Sequence, residues 1–193
     1  MTYSKQNSIK RTIMLIWGIA FMLLSSTVAL AAYVSITVTN VAQAKTNWCW
    51  AASIEMSADA LGYSSYDQYD IVKYVKGTSA DPYPNSPGSG DDYTNGMKYA
   101  TSNNYKATES KSTITISAMK TEISAKRPIM MAWGYYSNGE RTGGHANVIY
   151  AVDVDNNYVK MQDPDGNSYT YSYSELTSTS SRKYDKTIKI SKN

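Results

Sequence analysis

From residue 48 onward, apolar positions recur at helical spacing: Trp50, Ile54, Ala58 and Leu61 form one stripe, and Gly62 ends it. Asn47 stands where an N-cap is wanted, so the pattern predicts a largely buried helix beginning at or just before Cys49. A second helix is expected after Ser65, whose spacing to Gln68 makes a capping box, with Ile71, Val72 and Val75 turned inward and Gly77 as the stop. Residues 78–90 are rich in Pro, Gly and Ser and read as a loop. Further helices are expected over 92–102 and 117–126. Past residue 127 the helical period gives way to the strand period. The runs 128–133, 145–154, 158–162, 168–173 and 184–190 read as strands of an antiparallel sheet, with turn chemistry at 155–157 and 165–167. A helical half followed by a sheet half indicates an α+β fold.

The first residues follow a different logic. Lys5, Lys10 and Arg11 precede an uncharged apolar stretch over 13–24, and small residues then lead to Ala29-Leu30-Ala31. This is the layout of a secretory signal peptide, with a cut expected after Ala31. The apolar core is shorter than the ~20 residues a membrane span needs. The expected product is one domain over 32–193, secreted or held at the cell surface, with no stable membrane association after the cut.

Export changes how charge is read. The whole chain carries 19 basic and 16 acidic residues, and removing the three basic residues of the first segment leaves 16 against 16. The balanced remainder gives no footing for nucleic-acid binding, which rests on clustered Lys and Arg. The locally basic stretch over 182–192 reads as a solvated edge strand. The 18 tyrosines read as amphipathic rings covering a small core, with a glycan-binding surface as the sharper alternative.

Composition also narrows the chemistry. The chain has one cysteine, Cys49, and one histidine, His145. A lone cysteine closes no internal disulfide, so Cys49 is either an inert buried hydrophobe or a reactive thiol. A zinc site would need carboxylates around that single pair, and no ligand-pair motif is present. No metal and no cofactor is therefore expected. A reactive thiol needs its anion stabilised, and two devices are visible: the first turn of a helix, and an imidazolium partner in His145.

The flanking residues decide between the two readings of Cys49. Gln43 stands six positions before it, in Gln43-Ala44-Lys45-Thr46-Asn47-Trp48-Cys49-Trp50-Ala51, and His145 follows a glycine pair in Gly143-Gly144-His145-Ala146. These segments resemble the papain-like cysteine peptidases, in which a glutamine at that spacing precedes a cysteine that opens the central helix and is followed by tryptophan and alanine. The glycine-led histidine before an apolar strand looks like the family's histidine station. The resemblance implies a papain-like fold, catalytic Cys49 and His145, and Gln43 as an oxyanion donor.

It also implies an Asn or Asp on the neighbouring strand to orient the imidazole. Asp163 is the expected residue, and Asp163-Pro164 resembles the small bacterial branch of leader-peptide peptidases fused to export transporters. Parity agrees if residues 155–157 form a three-residue turn, for His145 and Asp163 then share a sheet face. Asp165 has the same parity and remains the rival, whereas Asp153 lies too far along His145's own strand. Trp48 departs from the family, many of whose members have a small residue there, and the span 32–42 leaves no room for an inhibitory propeptide.

The implied activity is hydrolysis of a peptide or protein substrate through a Cys-His-Asp triad and a thioester. The same thiol would serve a cell-wall amidase or an acyl transferase. The non-enzyme alternative is a secreted binding module on an inactivated papain-like scaffold. Residues 78–91 and 135–142 are expected to rim the cleft, Trp50 to pack in the core, and the oligomeric state stays open.

Overall fold

The computed structural model describes residues 32–193. The expected signal segment over 1–31 lies outside the described residues. In chain order the elements are β1 (Tyr33–Ser35), α1 (Cys49–Ala60), α2 (Gln68–Lys76), α3 (Gly90–Ala100), β2 (Tyr105–Ser110), α4 (Ile116–Ser124), β3 (Ile129–Ser137), β4 (Glu140–Asp153), β5 (Tyr158–Asp163), β6 (Asn167–Ser172), α5 (Tyr173–Thr177) and β7 (Arg182–Lys192). The antiparallel sheet runs β2-β7-β3-β4-β5-β6, and β1 pairs with the far end of β4. The α+β order read from the periodicity is the observed one.

Several starts differ for a definable reason. Asn47 does not cap α1, because its backbone N–H and side-chain amide are both engaged with Asn85, and Trp48 occupies the cap position with no side-chain bond. Ser65 does not cap α2 either. Asp67 does, accepting from the Asp70 N–H while Asp70 reaches back to Asp67 in a full capping box, a device of about 1 kcal/mol. Gln68 is instead buried and bridges segments: its side chain accepts from Ala44 N–H and donates to Ala42 O, while its backbone N–H donates to Glu55 on α1.

The basic stretch over 182–192 is not an edge strand. β7 lies between β3 and β2, its basic side chains at the periphery and Tyr184, Thr187, Ile188 and Ile190 buried. The edge is β2, which the sequence reading missed because only Ala107 of its six residues is buried.

Two cores sit on opposite sides of the sheet. One packs Trp50, Ile54 and Met56 of α1 with Ile71, Met97, Met130 and Val148. The other holds Met119 and Ile123 of α4 with Met131, Trp133, Ile149 and Met161. Adjacent residues of one strand, Met130 and Met131 or Val148 and Ile149, thus enter different cores, as the strand period requires. That is why the β3 sequence reads as an unbroken apolar run rather than as an alternation. The structure also places the tryptophans: Trp48, Trp50 and Trp133 are all buried, and of the three Trp50 also lines the cavity beside Cys49.

Candidate active site

The two halves meet where α1 begins. Cys49 is the first residue of α1, a free and partly exposed thiol. The first intrahelical bond is Ala52 N–H to Trp48 O, so the N–H groups of Cys49, Trp50 and Ala51 have no partner within the helix. They supply partial positive charge at the sulfur and donors for any oxyanion formed beside it.

The sequence holds this helix start in place through its tryptophans. Trp48 Nε1–H donates to Pro84 O at 3.0 Å and Trp50 Nε1–H to Ser86 O at 3.1 Å. Lys45 Nζ donates to Tyr83 O at 2.6 Å, and Asn85 bonds Thr46 Oγ1 as well as Asn47. The large Trp48, out of pattern for the family, is thereby explained: it is an anchor for the loop that rims the cleft. Gly88 lies so close against the Trp50 ring that a methyl group there would collide with it.

His145 comes from the middle of β4, opposite Trp133 of β3. Its Nε2 lies 2.6 Å from Asp163 Oδ1, and Asp163 is buried. With Nε2 engaged by Asp163, Nδ1 is the ring nitrogen left to face Cys49. Burial pulls the His145 pKa down, but hydrogen bonds to Asp163 and Cys49, and the charges of both, outweigh it and push the imidazole up to about 10.

His145 and Asp163 share a side for a reason other than the expected one. The turn between β4 and β5 has four residues, since Asp153 pairs with Tyr158, and this alone would place them on opposite faces. A bulge at Tyr150, between Ile149 and Ala151, restores the parity. Asp153, far along β4, caps that turn by accepting from Asn156 N–H and Nδ2. Asp165 is turned away to Asn167 N–H and the Tyr169 hydroxyl, and its own N–H donates to Asp163 Oδ1 at 2.9 Å. It orients the carboxylate next to the histidine rather than replacing it.

Gln43 sits between the two halves. Its backbone N–H donates to Pro164 O, directly after Asp163. Its side-chain amide donates to Lys45 O at 2.8 Å and Thr46 O at 2.9 Å. Both amide protons therefore brace the turn into α1, and an oxyanion reaches Gln43 only by taking the place of one of these carbonyls.

Cys49 and His145 line one cavity of about 130 Å³ with Gly88, Tyr93, Arg141 and Lys186. Residues 78–89 contribute Pro87 and Gly88 to its rim, as expected. The expected loop over 135–142 is not a loop. Ser137 pairs with Glu140, and Asn138-Gly139, both at positive φ, close a tight hairpin. That dipeptide is a strong hairpin signal in any sequence. The hairpin brings Arg141 into the cavity, a residue the sequence reading did not single out. Among the described residues no group of three or more His, Cys, Asp or Glu side chains could hold a metal ion, and no helix is long and apolar enough to cross a membrane.

A sequence model of the family described as papain-like cysteine protease AvrRpt2 matches residues 33–180. Among solved structures, the chain is similar to a double glycine motif protease from an AMS/PCAT transporter in complex with the leader peptide. The TM-score is 0.55 at 12% identity, over 86% of this chain and 97% of that one. Xylellain, a cysteine protease from Xylella fastidiosa, aligns with a TM-score of 0.47 at 15% identity, over 83% of this chain and 87% of that one. No curated protein matches the sequence.

Proposed function

This chain belongs to the family of papain-like cysteine proteases described as AvrRpt2, and from that premise we propose that it is an exported peptidase acting through Cys49, His145 and Asp163. The observation that carries this reading is the 2.6 Å contact between Asp163 and a histidine that shares one cavity with a thiol at a helix N-terminus.

In this reading the Cys49 sulfur attacks the scissile carbonyl carbon. Negative charge gathers on the carbonyl oxygen, where the unpartnered Cys49 N–H is the first donor and Gln43 the second, once one of its loop contacts is released. The raised pKa keeps His145 protonated through neutral pH, so it gives its proton to the leaving amine as the carbon–nitrogen bond breaks. A thioester on Cys49 remains. Neutral His145 then takes a proton from water, hydroxide attacks the thioester, and the acid leaves with Cys49 restored. Asp163 holds the ring so that one nitrogen always faces the sulfur.

Alkylation tests the pair without any guess at the substrate. In folded protein Cys49 is expected to react with iodoacetamide rapidly down to well below pH 8, and the His145→Ala variant to lose that acid-side reactivity. Slow labelling with the profile of a free thiol, the same in both proteins, would remove the basis of the triad. Export is supported by the charged, apolar and small-residue layout of the first segment. A mass for the product in the medium that corresponds to a start at Ala32 is expected; retention of the full-length chain in the cells refutes it.

A further inference from the structure

The charged side chains lining the cavity beside Cys49, apart from His145, are both cations. Arg141 and Lys186 face it, and among the described residues no carboxylate does. Their acidic partners lie behind them: Arg141 Nε donates to Asp185 Oδ2 at 2.9 Å, and Lys186 Nζ to Glu109 Oε2 at 3.1 Å. Asp185 lines an adjoining hollow with Lys111, and Arg141 and Lys186 border that hollow as well.

The Arg141 side chain is 44% exposed and is held by one carboxylate over two glycines. Its guanidinium lies over Gly134 and Gly144, which are cross-strand partners in β3 and β4. A methyl group at position 144 would stand 2.5 Å from Arg141 Nη2 and 3.0 Å from Trp133 O. One at position 134 would stand 3.0 Å from Arg141 Nε and strike the Asp185 carboxylate. Two paired glycines and one aspartate thus make room for a single fork. Asp185 takes Nε, which leaves the Nη groups, one of them directly above the residue that precedes His145. A planar fork with free Nη groups is suited to two parallel bonds with a carboxylate. Tyr93 lines the same cavity, and burial keeps its phenol protonated.

We propose that this cavity recognises a substrate carboxylate next to the scissile bond, with Arg141 as its principal donor and Lys186 as the second cation. This rests on the peptidase reading above and supplies the substrate class that reading lacks. Both cations are already paired, so selectivity comes from unspent donors rather than from net charge. The carboxylate is either the side chain of an internal Asp or Glu or the free end of the chain.

The test begins with a proteome-derived peptide library digested by wild-type protein, with Cys49→Ala as the blank and cut sites read by mass spectrometry. Matched peptides follow, with Glu or Gln at the enriched position and a free or amidated C-terminus. Wild type is expected to favour the carboxylate by about ten- to a hundredfold in kcat/KM, and Arg141→Gln to bring that ratio within about threefold of unity. A side-chain ligand gives preference at one fixed position whatever the C-terminus. A chain-end ligand gives cuts at a fixed distance from the end, lost on amidation. Cys49-dependent cleavage indifferent to both carboxylates overturns the proposal and leaves the peptidase reading standing. No Cys49-dependent cleavage overturns both. The wild-type Glu/Gln ratio decides by itself if Arg141→Gln does not fold.

Discussion

Cys49→Ala is expected to lower kcat/KM by about 10⁴-fold or more on any peptide the wild type cleaves. The size follows from what is removed. The N–H groups at the start of α1 still present donors and the cleft still binds substrate, but no atom remains to form the thioester. Residual hydrolysis is then limited to what positioning and donors achieve with water alone. His145→Ala is expected to cost nearly as much, and the double variant little more than either, because the two residues work as one unit. The side chain of Cys49 is small and partly exposed, so its loss leaves the fold intact, and circular dichroism with a thermal melt checks this. A Cys49→Ala protein within tenfold of wild-type kcat/KM would rule out the thiol as nucleophile.

The second large effect is at Asp163. Replacing it with alanine is expected to lower kcat/KM by on the order of 10²–10⁴, and with asparagine by less, since an amide oxygen still accepts from the ring. The clearer signature is in the pH profile. Against the pull of burial, the bonds and charges of Asp163 and Cys49 hold His145 at about 10. The wild-type alkaline limb should therefore lie near that value, and Asp163→Asn should move it down toward the ordinary imidazole range.

Stability follows the same sign. A folded pKa raised above the unfolded 6.5 contributes stability fully below that value and loses it as pH rises through about 10. The urea midpoint difference between wild type and Asp163→Asn should accordingly shrink as the pH is raised through that interval. An alkaline limb that does not move in Asp163→Asn would mean that Asp163 does not set the charge of His145.

The sequence made the principal elements legible where a periodic stripe coincides with a stop. The α1 stripe ending at Gly62 and the apolar runs of β3, β4 and β5 are of this kind. It was misleading at helix starts, because Asn47 and Ser65 have the right chemistry for a cap. Distant partners decide how such residues are used: Asn85, 38 residues away, claims Asn47. β1 and β2 escaped notice since one is three residues long and the other is a polar edge with one buried side chain. The pairing of His145 with Asp163 was anticipated, but through the wrong turn. The error of one residue at 154–157 and the unseen bulge at Tyr150 cancel. Arg141 lies in the span 135–142 expected to rim the cleft, but nothing in the sequence singled it out within that span. Its place depends on Gly134 and Gly144 facing each other across two strands, a register set by the Asn138-Gly139 hairpin together with the irregularity between Tyr135 and Tyr136.

A peptidase is surrounded by copies of itself, and residues 78–89 are the stretch whose composition most invites cutting. To be digested, a segment has to peel away over several residues and enter another copy's cleft in extended form. Here peeling would strip Pro84 and Ser86 from the indoles of Trp48 and Trp50, Asn85 from Asn47, and Tyr83 from Lys45. Those contacts are the ones that fix the start of α1 and, with it, the sulfur. Susceptibility to self-digestion and loss of activity are thus tied together: a copy loose enough to be cut there has already lost the geometry of its own nucleophile.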